Sequence, residues 1–222
     1  EAVKGAEAPL AGDLRMGVIP TIGPFLLPRA LPGLRDRYPE LLLYLREEQT
    51  GPLLRQLADG ELDLVLIALP YKTEKLETFE FADDPFLAVF PHGHGMGEFE
   101  TMTPNRLDRD ALLVLEEGNC LTDQTLAMGK FGERGHTDRF QATSLHTLVQ
   151  MVYNGLGVTV LPKMAVDAGI LRGLKLDLRP FSSPKASRRI ALVWRKTSRR
   201  GDEFRMLGEF LRDELGTPVR GQ

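Results

Sequence analysis

Residues 62–69, with the sequence LDLVLIAL, constrain the fold of this chain more than any other segment, because they are apolar at every position but one. A strand that is buried on both faces has such a near-continuous apolar sequence, which is typical of the centre of a parallel sheet. Apolar runs at residues 14–19 and 41–45 precede it, and each is followed by a helical pattern. The first 70 residues are therefore predicted to fold as β-α-β-α-β, an open parallel sheet.

Two helices connect these predicted strands. The first presents a single apolar stripe, formed by Leu27, Leu31, Leu34 and Tyr38. Pro28 and Pro32 are expected to bend this helix, since proline removes a backbone donor and clashes with the preceding turn. The second helix is predicted to be capped by the Thr50 hydroxyl and to end at Gly60.

The remainder of the chain repeats the alternation of strands and helices. The predicted elements are two strand-like runs within residues 79–90 around Asp83-Asp84-Pro85, a short helix at 103–107, a strand at 112–115, a helix from Cys120, a strand at 139–143, a helix capped by Ser144, strands at 158–161 and 188–194, and a final amphipathic helix. Two α/β lobes of this kind would place a ligand cleft between them, at the carboxyl ends of the strands.

Composition excludes several functional classes. The formal charge of −3 gives no basic footprint for nucleic acid. One cysteine among 222 residues cannot form an internal disulfide, so nothing indicates secretion. No apolar run approaches the roughly 20 residues that span a membrane.

Cys120 is the most informative single residue. It is predicted to lie where the strand at 112–115 turns into a helix, so its thiol would face unpaired backbone N–H groups and the positive end of the helix dipole. Both favour the thiolate, which is the reactive form. The alternative is a small buried apolar side chain, which describes most free cysteines.

Small polar residues follow several predicted strands and form the candidate ligand-binding set. They are Thr21, Thr50, Asn119, Cys120, Thr143 and Ser144. Hydroxyl groups and helix N-termini donate hydrogen bonds to anions, so this set favours a small polar or acidic molecule. His92 and His94 could bind a metal, but no carboxylate or cysteine stands at ligand spacing, and an exposed turn is favoured. No metal site and no cofactor are therefore expected.

Four motifs, PTIGP, EEQT, EEGNCLTDQ and ATSLHTL, agree in one register, within a likeness that covers roughly residues 13 to 215. Together they resemble the regulatory half of LysR-type transcriptional regulators and, within that family, the OxyR group of hydrogen-peroxide sensors. The resemblance implies a two-lobe, periplasmic-binding-protein-like (type 2) α/β domain. Residues 1–12 would end a linker, 13–83 with 189–222 would form lobe I, and 84–188 would form lobe II with Cys120. The DNA-binding helix-turn-helix domain would lie upstream, outside this chain.

The resemblance also implies roles for individual residues. Cys120 would be the peroxidatic cysteine, and Thr21 and Thr50 would orient peroxide over it. Asp123 would assist proton movement and the later conformational change. Arg188 would lie near the pocket, although Arg189 would take its place after a slip of one residue.

Three positions depart from the OxyR pattern. Gly129 stands where the family has a resolving cysteine, and this chain has no other cysteine, so an intramolecular disulfide is impossible. The chain is either a one-cysteine variant or one whose resolving residue was replaced. Asn119 and Thr122 stand where the family often has histidine and arginine, which reduces the positive charge near Cys120.

The implied function is a stoichiometric redox sensor rather than an enzyme: hydrogen peroxide oxidises Cys120 and changes a homodimer or homotetramer that controls transcription in the cytoplasm. Promoter DNA and RNA polymerase would be partners of the full-length protein, with no role for a membrane. One alternative is a LysR-type domain that binds a small organic effector without thiol chemistry. A one-cysteine thiol peroxidase is less favoured, because the proline- and threonine-flanked signature of such enzymes is missing around Cys120.

Overall fold

The computed structural model describes residues 9–72, 75–107, 111–129 and 141–216. The chain divides into two compact units: residues up to Ala82 together with those from Arg189 onward, and residues from Asp83 to Arg188. Each unit combines a β-sheet with helices, which confirms the predicted α/β class. Each of the two boundaries between the units lies within a strand: the boundary after Ala82 lies in β4, and the boundary after Arg188 lies in β7.

The first unit is built on the predicted β-α-β-α-β pattern. Its elements are β1 (Gly12–Val18), α1 (Gly23–Arg37), β2 (Leu41–Glu47), α2 (Thr50–Asp59), β3 (Leu64–Leu69), the first part of β4 (Leu76–Pro91), the second part of β7 (Ser187–Arg195) and α6 (Gly201–Gly216). The strand order is β2-β1-β3-β7, with the first three parallel and β7 antiparallel to β3. Every residue of β3 is buried, as its sequence predicts.

The core of the first unit closes around the single tryptophan of the chain. Trp194 on β7 is 1% exposed, and its ring packs edge-on against Phe204 of α6 at 5.7 Å between centroids. The amphipathic pattern of the last helix is thus satisfied against the sheet.

Helix α1 differs from its predicted form in one respect. It remains one helix through Pro28 and Pro32, but Leu31 is 36% exposed, so the predicted stripe is wrong at this residue. On the helical wheel, the buried residues of α1 occupy an arc that ends at Leu27, and Leu31 lies roughly 40° beyond Leu27.

The second unit contains a three-stranded antiparallel arrangement. Its elements are the second part of β4, 3₁₀ helices at Gly95–Glu98 and Pro104–Arg106, α3 (Cys120–Gly129), α4 (Leu145–Tyr153), β5 (Thr159–Pro162), α5 (Lys163–Asp167), β6 (Leu176–Pro180) and the start of β7. β4 pairs with β5 on one side and β6 on the other. The apolar residues of α4 that are buried are Leu145, Leu148, Val149 and Val152.

Three predicted strands take a different form in the structure. The two runs within 79–90 are one continuous strand, β4, which passes through Asp83-Asp84-Pro85 without a break. The buried run 112–115 makes isolated parallel bridges, from Leu112 to Val158 and from Leu115 to Ala142, in place of a regular strand. Of the strand predicted at 139–143, residues 139–140 lie outside the described part of the chain.

No helix within the described ranges is long and apolar enough to cross a membrane.

Candidate functional site

Cys120 is the first residue of α3, at the turn where the sequence places it. The turn contains Gly118 at φ 83°, in the left-handed region that favours glycine. The Cys120 residue is 7% exposed. The thiol therefore combines burial with a position at the positive end of the α3 dipole.

Asn119 fixes the first turn of α3. Its carboxamide oxygen accepts the backbone N–H of Leu121 at 3.2 Å, and its backbone carbonyl accepts the N–H of Thr122 at 3.0 Å. The Thr122 hydroxyl in turn donates to the carbonyl of Leu115 at 2.9 Å. Asn119 and Thr122 thus anchor the turn that carries Cys120.

The starts of α3 and α4 lie at the same edge of the second unit. Leu115 bridges Ala142 in parallel, and the N–H of Glu116 donates to the Ala142 carbonyl at 3.0 Å. Ser144, two residues later, accepts the N–H of Thr147 at 3.2 Å and caps α4, as predicted.

Two further candidates of this edge are exposed. Asp123 lies in the first turn of α3, where a carboxylate complements the helix dipole. Thr143 precedes the cap of α4. The structure therefore groups Asn119, Cys120 and Asp123 within one helical turn, beside the start of α4.

Thr21 and Thr50 belong to the first unit, at the carboxyl ends of neighbouring parallel strands. Thr21 follows β1 and is 1% exposed, whereas Thr50 opens α2 after β2 and is 2% exposed. The predicted capping role of Thr50 is wrong: Gln49 is the N-cap, and Thr50 is already helical. Helix boundaries shift by a residue when several polar residues compete for the cap, here Glu48, Gln49 and Thr50.

The hydroxyl of Thr50 has no hydrogen-bond partner among the described residues, although its oxygen is buried. Buried polar groups are almost always paired, so such an exception is informative. It identifies an unsatisfied donor and acceptor at the N-terminus of α2, where backbone N–H groups also gather.

Arg188 is buried in the second unit and lies in an ion pair with Asp84. Its Nε donates to Asp84 Oδ2 at 3.0 Å, so Arg188 is not a solvated charge at the end of its strand. Arg189, by contrast, is exposed and pairs with Glu80 at 2.6 Å within the first unit. Sequence reasoning missed Asp84, whose signal is its even spacing with the buried Phe86 along β4.

The histidine pair of the sequence takes part in local hydrogen bonds. His92 Nδ1 lies 3.1 Å from Asp177 Oδ1, and this hydrogen bond lowers the pKa of the Asp177 carboxyl. His94 accepts the N–H of Met96 at 3.2 Å and caps a 3₁₀ helix. Within the described ranges, no group of three or more His, Cys, Asp or Glu side chains could hold a metal ion.

Comparison with known proteins gives concordant matches along nearly the whole chain. The family model for the LysR substrate binding domain matches residues 7–216. A probable hydrogen peroxide-inducible genes activator of Streptomyces viridosporus is 40% identical over 99% of this chain and 71% of that protein. The DNA-binding transcriptional dual regulator OxyR of Escherichia coli is 39% identical over 93% of this chain and 67% of that protein.

A solved structure agrees with these matches. The reduced form of the OxyR2 regulatory domain from Vibrio vulnificus superimposes with a TM-score of 0.86 at 37% sequence identity. The superposition covers 96% of this chain and 100% of that domain.

Proposed function

The chain belongs to the family of LysR substrate binding domains, as its motifs predict, and from that premise we propose that it is the peroxide-sensing regulatory domain of a transcription regulator. The relative of Streptomyces viridosporus that is named a probable hydrogen peroxide-inducible genes activator supports this function. The observation that carries it is the placement of the only cysteine, Cys120, as the first residue of α3.

The proposed chemistry begins with the Cys120 thiolate, which the N-terminus of α3 favours over the thiol. The sulfur attacks one oxygen of hydrogen peroxide, the O–O bond breaks, and the second oxygen leaves as hydroxide, which takes up a proton to give water. The sulfur is oxidised to a sulfenic acid, and the peroxide is reduced.

Other residues assist this step in the proposal. Thr21 and Thr50 orient peroxide, Asp123 assists proton movement, and Arg188 donates to the leaving oxygen as an oxyanion hole does. The buried hydroxyl of Thr50, which has no hydrogen-bond partner in the described part of the chain, supports its assignment, since a group kept without a partner costs stability unless a ligand completes it. The burial of Arg188, in contrast to Arg189, favours Arg188 for the donor role.

The sulfenic acid cannot be resolved within this chain, because Gly129 occupies the resolving position and no second cysteine exists. It therefore persists, is oxidised further, or forms a mixed disulfide with a small thiol or another subunit. In the full-length regulator, this modification changes the homodimer or homotetramer that binds promoter DNA and contacts RNA polymerase in the cytoplasm.

The decisive experiment is the intact mass of the chain after one equivalent of hydrogen peroxide, with and without a sulfenic-acid trap. We expect a gain of one oxygen that is confined to Cys120 and is intercepted by the trap. Cys120→Ser should show no gain. An unmodified mass for the unsubstituted chain would refute the sensor function.

A second candidate function is binding of a small organic effector without thiol chemistry. The Thr50 hydroxyl at the N-terminus of α2, which lacks a partner in the described ranges, favours this alternative as much as it favours peroxide sensing, since that group could donate to a carboxylate. Saturable binding of a small carboxylate by a chain that peroxide leaves unmodified would select this alternative.

A further inference from the structure

We infer that Asp84 is a positioning residue for Arg188 in the oxidation of Cys120, an inference that rests on the function proposed above. Asp84 lies on β4 and Arg188 on β7, and both belong to the second unit, as Cys120 does. Arg188 Nε lies 3.0 Å and Nη2 lies 2.9 Å from the same carboxylate oxygen, Asp84 Oδ2. Two contacts on one edge of the guanidinium fix its plane as well as its position.

The Asp84 carboxylate is itself held in place. Its other oxygen, Oδ1, accepts the backbone N–H of Met164 at 2.8 Å, in the first turn of α5. The N-cap of α5 is Pro162, which provides no side-chain cap. Asp84, on a strand far away in the sequence, caps the helix instead. Both oxygens of Asp84 are thus engaged, one by a helix terminus and one by Arg188.

Burial distinguishes this ion pair from its neighbour. Arg189 follows Arg188 on β7 and pairs with Glu80 of β4, but the side chains of that pair are 54% and 41% exposed. Exposed pairs contribute little, because water and salt screen them. In the buried pair, the Arg188 side chain is 0% and that of Asp84 is 3% exposed, so loss of Asp84 would remove a buried negative charge from beside a buried positive one.

This arrangement matters for the proposed chemistry because arginine is long and samples many rotamers. A donor to the leaving oxygen acts only if it is already in place when negative charge develops. Asp84 supplies that restraint through Arg188, which makes it a positioning residue rather than a catalytic one.

The test is a double-mutant cycle on the rate constant for oxidation of Cys120 by hydrogen peroxide, followed by trapping and intact mass. We expect Asp84→Asn to slow oxidation by roughly 10- to 100-fold. In an Arg188→Gln background, Asp84→Asn should cause no further loss. Glu80→Gln, the matched control on the same two strands, should stay within about twofold of the unsubstituted chain.

A second readout separates positioning from mere loosening of the fold. Alkylation of Cys120 by iodoacetamide needs no donor to a leaving oxygen, so its rate in Asp84→Asn should match that of the unsubstituted chain. If Asp84→Asn does not fold, Arg188→Lys replaces it: lysine keeps the charge but lacks the two-point fork, and oxidation should slow similarly.

Three results would overturn the inference: unchanged oxidation in Asp84→Asn, an equal loss in both backgrounds, or parallel changes in oxidation and alkylation. If Arg188→Lys has to be used in place of Asp84→Asn, an unchanged oxidation rate in Arg188→Lys would also overturn the inference. An unsubstituted chain whose Cys120 does not react with peroxide refutes the proposed function itself, before the cycle is measured.

Discussion

The first turns of α2 and α3 differ in how their polar groups are hydrogen-bonded. Each helix opens with a buried residue, Thr50 or Cys120. At α3, the preceding Asn119 pairs its side chain with the N–H of Leu121. At α2, the preceding Gln49 provides no side-chain cap, and the Thr50 hydroxyl lacks a partner among the described residues. The difference indicates that the α3 start is built to hold a residue still, whereas the α2 start keeps hydrogen-bonding capacity available for a ligand.

Among variants at the two helix starts, the largest expected effect on stability belongs to Asn119→Ala. It removes the acceptor for the Leu121 N–H at a buried helix start, so the free energy of unfolding should fall by about 1–2 kcal/mol. Denaturant titration followed by circular dichroism would measure it, and faster amide exchange in the first turn of α3 should accompany it. Unchanged stability would remove the contrast between the two helix starts.

A smaller loss is expected for Thr122→Val. The isosteric change deletes the hydrogen bond from the Thr122 hydroxyl to the Leu115 carbonyl and leaves that carbonyl without this donor, at a cost of about 1 kcal/mol. Thr122→Ser retains the hydroxyl and should lose less. The same titration compares the two variants, and a larger loss in Thr122→Ser than in Thr122→Val would assign the effect to packing of the methyl group instead.

The smallest effect on stability should come from Thr50→Val. Because the hydroxyl makes no bond to the described residues, its removal should change the free energy of unfolding by less than about 0.5 kcal/mol, or stabilise the chain slightly. Oxidation of Cys120 by peroxide should nevertheless slow by roughly tenfold, which corresponds to one lost hydrogen bond in the transition state. Thr50→Ser, measured by the same trapping assay, should retain most of the rate. A clear loss of stability in Thr50→Val would show that the hydroxyl is structural.

The elements that sequence predicted well are those whose signal is local. β3 is apolar throughout and fully buried, and the turn before Cys120 is marked by a change from apolar to polar residues. The Ser144 cap follows from one side chain and a backbone N–H three residues away. Neighbouring residues suffice for such features.

The features that sequence missed depend on distant partners or on a boundary of one residue. Asp84 is buried because Arg188, 104 residues later, neutralises it. The residues that adjoin Asp84 in the sequence do not indicate that pairing. Thr50 was assigned the cap because its hydroxyl is a good acceptor, but the helix begins one residue earlier than that role requires. Leu31 fits the helical period yet falls just outside the buried arc, which the packing of α1 decides.

The lone tryptophan and the lone cysteine lie in different units, Trp194 in the first and Cys120 in the second. The unmodified chain therefore contains two intrinsic probes of unfolding, one in each unit. Indole emission follows the first unit as it loosens, and the rate of thiol labelling follows the second. When indole emission and thiol labelling are compared across a series of urea concentrations, they show whether the two units unfold together or in sequence. The comparison needs no engineered probe.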